Sequence, residues 1–105
     1  MAQFDVYANP SSRQRDGIPY LVVMQSDLLD HLPTRLVMPL VIERFNAASL
    51  PSRLSPSFRI DGQTLHLWPQ QTATILARML GEPVASLKDD QSRLLDALDA
   101  VISGI

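Results

Sequence analysis

The chain has 105 residues, 46% of them hydrophobic and 19% charged, with a formal net charge of −2 and no cysteine. That length suits one domain burying roughly two thirds of its unfolded surface, and the apolar fraction excludes a disordered tail. The missing cysteines exclude disulfides, thiolate zinc sites and a cysteine nucleophile, and no apolar run approaches the ~20 residues of a membrane helix.

Gln3-Phe4-Asp5-Val6-Tyr7 alternates polar and apolar residues. This predicts a half-buried strand with Phe4 and Val6 on one face and Gln3, Asp5 and Tyr7 on the other. Met1 to Tyr7 carry no basic n-region or apolar h-region, so no secretory signal is expected. Residues 9–17 are polar and rich in turn formers, the pattern of an exposed loop. Its Arg13 and Arg15 suit bidentate hydrogen bonds to a phosphate or carboxylate, although a solvated loop is the simpler reading. Tyr20-Leu21-Val22-Val23-Met24 predicts a strand covered on both sides, followed by one helical turn capped by Ser26 or Asp27.

Leu36-Val37-Met38-Pro39-Leu40-Val41-Ile42 is a third apolar run, in which Pro39 calls for a bulge or an edge. Residues 47–56 are dense in serine and proline and read as loop. Phe58-Arg59-Ile60 and Gln63-Thr64-Leu65-His66-Leu67 flank Asp61-Gly62, a dipeptide suited to the positive φ angles of a type I′ turn, so a β-hairpin is expected. Residues 72–79 fit a strand or a helix equally well. Leu94, Leu95, Leu98, Val101 and Ile102 form the stripe of an amphipathic helix, with Asp89 and Asp90 at its start and Gly104 as its stop.

Four or five short strands followed by one terminal helix define a mainly β protein with a C-terminal α-helix, an antiparallel barrel or sheet in a single domain spanning residues 1–105. The charge is uneven. Five acids and two bases fall after residue 81, while seven arginines and six acids precede it. The acidic total argues against a nucleic-acid grip of the protein's own.

Chemistry is hard to find. His31 and His66 lack metal-ligand spacing, and His66 sits at an alternate position of a hairpin strand. Four glycines form no phosphate cradle. Asp27 and Asp30 are explained by capping and solubility better than by acid–base work. Trp68 reads as a packing residue. No catalytic residue, metal or cofactor is expected, and the residues alone indicate a small soluble binding module.

An ordered set of segments nonetheless resembles one family. Gln3-Phe4 with Val6-Tyr7, Leu21-Val22-Val23 with Gln25-Ser26-Asp27-Leu28-Leu29-Asp30, and Arg35-Leu36-Val37-Met38-Pro39-Leu40 are similar to the opening half of CcdB toxins. Ile60-Asp61-Gly62, Leu80-Gly81-Glu82-Pro83-Val84-Ala85-Ser86-Leu87 and Gly104-Ile105 continue the likeness to the end. The resemblance implies an SH3-like barrel acting as a cytoplasmic homodimer. It implies the toxin of a type II toxin–antitoxin pair that poisons DNA gyrase through the gyrase A subunit, a topoisomerase inhibitor rather than an enzyme. It further implies neutralisation by a CcdA-like antitoxin and joint repression of the operon, with DNA bound only through the antitoxin. The gyrase-facing residues would be Val101, Ser103, Gly104 and Ile105, and Arg13 and Arg15 are candidates for the antitoxin. Where the family typically ends Trp-Gly-Ile, this chain reads Ser103-Gly104-Ile105. Two other readings use the same barrel: a degenerate toxin that binds antitoxin without poisoning gyrase, and an endoribonuclease toxin.

Overall fold

The computed structural model describes residues 2–45 and 50–104, with Phe45 described by its backbone alone. Among the described residues, seven strands form one antiparallel sheet: β1 (Asp5–Ala8), β2 (Tyr20–Val23), β3 (Thr34–Ile42), β4 (Ser57–Ile60), β5 (Gln63–Leu67), β6 (Ala73–Leu76) and β7 (Ala85–Ser86). One helix, α1 (Gln91–Ser103), follows. The strand order is β4-β5-β3-β2-β1-β7, with β6 attached to β3. The sheet coils into a nearly closed barrel, so the fold expected from the sequence is the fold observed, with more strands than the pattern announced.

The long strand β3 is the spine. Along one edge it pairs with β2 from Tyr20↔Leu40 to Val23↔Val37. Along the other it pairs first with β6, at residues 34–37, then with β5, at residues 40–42. Pro39 lies where the partner changes. The backbone bond from Met24 N to Leu36 O (2.8 Å) sets the phase of the β2–β3 ladder. Leu21↔Pro39 is therefore a non-hydrogen-bonded pair, and the absent N–H costs β2 nothing. The Pro39 carbonyl still accepts from Trp68 N at 3.0 Å. Of the bulge or edge expected at Pro39, the structure supplies an edge-like break, since the ring falls between the β6 and β5 ladders.

The alternation of β1–β3 serves two cores. Val6, Val22, Met38 and Leu40 point inward with Phe58, Ile60, Leu65, Leu67 and Leu94. Tyr7, Leu21, Val23 and Val37 point to the other side and pack with Leu80, Ile18 and Ile75. Tyr7 was expected on a solvent face; it is 1% exposed, because residues far along the chain cover that side of β1.

The local signals behave as their chemistry requires. Asp61 and Gly62 have φ of 52° and 77°, both positive as a type I′ turn demands, and close β4 onto β5 from Ile60↔Gln63 to Ser57↔His66. Ser26 caps a 3₁₀ turn over Asp27–Leu29, its hydroxyl accepting from Leu28 N. The ambiguous stretch 72–79 resolves into β6 and a 3₁₀ turn over Ala77–Met79. Of the segment read as loop, residues 50–56 are irregular, and residues 47–49 lie outside the described residues.

The two ends of the domain are stitched together at one edge. Phe4 is held at φ 71°, a region that costs a non-glycine residue about 1–2 kcal/mol. Its N–H donates to Val23 O (2.7 Å) and its carbonyl accepts from Leu87 N (2.8 Å), tying β1 to β2 and to the approach to α1. The β1–β7 ladder then reads Asp5↔Ser86 and Val6↔Ala85.

Candidate functional site

Helix α1 docks through a narrower stripe than the leucine spacing suggested. Leu94, Ala97 and Ala100 are buried and Leu98 is partly so, whereas Leu95 is 46% exposed, Val101 38% and Ile102 76%. The correction is geometric. The small side chains of Ala97 and Ala100 let the helix lie close to the barrel, which turns the larger residues at 95, 101 and 102 outward. Gly104 ends the helix in the left-handed region, with φ 75° and its N–H on Ala100 O at 2.9 Å.

The expected partner-facing residues therefore share one accessible turn. Val101, Ser103 and Gly104 are all exposed there, beside Ile102, and Ile105 lies outside the described residues. The Ser103 hydroxyl donates to Asp99 O at 2.8 Å, so it is used within the helix. Leu95, Asp96, Leu98, Asp99 and Ile102 line a shallow depression of about 350 Å³ along the outer face. That surface is apolar with an acidic rim formed by Asp96 and Asp99.

Arg13 and Arg15 lie elsewhere, both exposed in the loop after β1. Asn9 organises this loop from a buried position: its Nδ2 donates to Ile18 O (2.9 Å), and its Oδ1 accepts from Ser11 N (3.0 Å). Arg15 Nε donates to Asn9 O at 2.9 Å, which fixes the guanidinium at the loop's rim. Asn9, Ser11 and Gln14 also wall a mostly apolar cavity of about 330 Å³ floored by Leu21, Val37 and Ile75. The cavity and the helix depression share no lining residue. Sequence reading named the arginines but missed the cavity, whose floor comes from β2, β3 and β6 and whose wall comes from the loop after β1.

Several other titratable groups serve the fold. Arg35 is buried, and its guanidinium donates to the carbonyls of Leu32 (2.6 Å), Thr34 (2.8 Å) and Asp30 (3.1 Å), with the Asp30 carboxylate at 3.8 Å. The Asp27 carboxylate accepts from Gln3 N at 2.8 Å. His66 is a sheet residue opposite Val41 and Ser57, with Nε2 3.5 Å from Glu43 Oε1, and His31 is exposed. The Tyr7 hydroxyl is buried without a hydrogen-bond partner. Burial above all, then the negative charge of Asp5, push its pKa above the usual 10.0; Arg35 opposes this, while Glu82 and Asp30 add to it. Among the described residues, no group of three His, Cys, Asp or Glu side chains could hold a metal ion, and no helix is long and apolar enough to cross a membrane.

The described residues form a nearly closed antiparallel barrel with one terminal helix and an exposed apolar turn at its end, the architecture of a small barrel-and-helix protein of the CcdB kind. The family comparison agrees: the model for CcdB protein matches residues 3–104. The chain belongs to the CcdB family, and membership supports a toxin of a toxin–antitoxin system.

Proposed function

We propose that this protein poisons DNA gyrase by presenting the last turn of α1, with Val101, Ser103, Gly104 and Ile105, to the gyrase A subunit. The observation that carries the reading is the exposure of Val101 and Ile102 beside the Gly104 cap, on a helix already anchored by Leu94 and Ala97. Apolar side chains held on a rigid support bind a partner without a large ordering cost. The protein acts as a cytoplasmic homodimer that makes and breaks no bond itself. A CcdA-like antitoxin neutralises it, using the Arg13 and Arg15 loop as one contact, and the two repress their operon with the antitoxin supplying the DNA-binding surface. Supercoiling by purified gyrase from the native host tests this directly. Inhibition with accumulation of cleaved DNA supports the reading; normal supercoiling at micromolar protein overturns it.

Ser103 favours a second reading, that of a degenerate toxin. Aromatic anchors are frequent hot spots whose loss costs about 2 kcal/mol or more, and the Ser103 hydroxyl is turned back onto Asp99. Tight antitoxin binding without growth arrest on expression would select this alternative.

A further inference from the structure

A second surface lies along a flank of α1 and meets the outer depression at Asp96. Arg93, Asp96, Ala100 and Gly104 recur at helical spacing, and the segment 51–56 runs along them. Two clefts result. One, of about 250 Å³, is lined by Ser52, Arg53, Pro56, Arg93 and Asp96. The other, of about 260 Å³, is lined by Pro51, Arg53, Leu54, Ala100 and Gly104, and is mostly apolar. Arg53 belongs to both, so the clefts form one groove with a cationic part and an apolar part.

The two guanidiniums are prepared differently. Arg93 is fixed in place: its Nη2 donates to Ser57 O at 2.7 Å, its Nη1 lies 3.4 Å from Asp90 Oδ1, and its guanidinium carbon sits 4.4 Å from the Phe58 ring centroid. Each guanidinium has five N–H donors, so Arg93 retains donors beyond those two bonds. Arg53 is exposed, with no hydrogen bond or ion pair among the described residues. With the Ser52 hydroxyl, the cleft offers converging donors suited to a carboxylate.

We propose that this groove binds an acidic segment of a partner protein, one carboxylate held by Arg53 and Arg93 and a neighbouring apolar side chain seated between Leu54 and Ala100. The local charges favour a peptide over a nucleic acid. Asp96 shares the lining and Asp90 faces Arg93, so a continuous row of phosphates would meet two carboxylates. A single side-chain carboxylate can approach the arginines and leave those acids in solvent. The adjoining apolar recess also has no counterpart in a phosphate backbone. The groove does not depend on gyrase poisoning and stands or falls separately from it.

Selection of a short random-peptide library on the folded protein is the test, followed by anisotropy measurements on the enriched peptide. The proposal expects enrichment of Asp or Glu next to Leu or Phe. Binding should weaken by about tenfold or more with Arg53→Glu, much less with Arg53→Lys, and as salt rises. Arg53 is exposed, so both variants keep the parent melting temperature. Amide chemical-shift changes should centre on Ser52, Arg53, Leu54, Ala100 and Gly104. No enrichment, enriched peptides without acids, affinity indifferent to Arg53→Glu, or stronger Arg53-dependent binding of a single-stranded oligonucleotide would each overturn it.

Discussion

Replacing Tyr7 with phenylalanine removes one oxygen from the second core and nothing else. The tyrosine ring packs with Leu21, Val23, Val37 and Leu80, and phenylalanine keeps all of that packing. The hydroxyl is buried without a partner, and leaving such a group unpaired costs about 1–3 kcal/mol of desolvation. Tyr7→Phe should therefore stabilise the domain at neutral pH by about 1 kcal/mol, or about 4 °C in melting temperature for a chain of this size. The pH dependence gives an independent reading. Burial and Asp5 raise the folded-state pKa above the unfolded value of 10.0, so the native state holds the proton more tightly. That contribution is complete below pH 10.0 and is lost as pH rises through the folded pKa. The parent should weaken above that pH relative to the variant, and the gap between them should widen. Urea unfolding of both proteins at neutral pH and just above pH 10.0 measures both effects. A variant less stable than the parent at neutral pH would show that the hydroxyl has a partner, and a gap that stays constant with pH would refute the burial argument.

Three further outcomes follow from the same geometry. Leu94→Ala should cost about 2–5 kcal/mol in urea unfolding, since Leu94 is fully buried and anchors α1 to the barrel. Gly62→Ala should cost about 1 kcal/mol through backbone strain alone, because φ is +77° and an added Cβ meets nothing within 4 Å; a larger loss of melting temperature would mean that the turn rearranges. Ile102→Asp should change stability by less than about 0.5 kcal/mol, given its exposure, yet abolish gyrase inhibition; retained inhibition would place the toxin surface elsewhere.

Legibility in the sequence tracked how local each determinant was. The β4–β5 hairpin could be read because Asp61-Gly62 states its own turn geometry. The cap at Ser26 and the stop at Gly104 are likewise single-residue devices. Strand β7 escaped notice because two residues, Ala85 and Ser86, are made a strand only by Asp5 and Val6, some eighty positions earlier. Tyr7 was misplaced for the same reason: its cover comes from Ile75 and Leu80. The leucine stripe of α1 overstated what the helix buries, since hydropathy ranks leucine above alanine whereas close helix–sheet approach selects alanine. Of the site residues, Val101 and Ser103 came from the family resemblance, and the structure shows them accessible. The pairing of Arg53 with Arg93 could not be read at all, because forty positions separate them and only the packing of residues 51–56 on α1 joins them.

The seam between β1 and β7 also fixes the order in which the molecule can be completed. A chain emerging from the ribosome can assemble β2 through β6 while its first strand still lacks one neighbour. Helix α1 follows soon after Leu87, whose N–H donates to the Phe4 carbonyl, and its buried Leu94 and Ala97 pack with core residues contributed by β1 to β5. The turn of α1 proposed to face gyrase lies beyond that seam in the chain, so a chain still being synthesised lacks it. A load pulling on the amino terminus would peel open that same seam first and release the helix base before disturbing the β4–β5 hairpin.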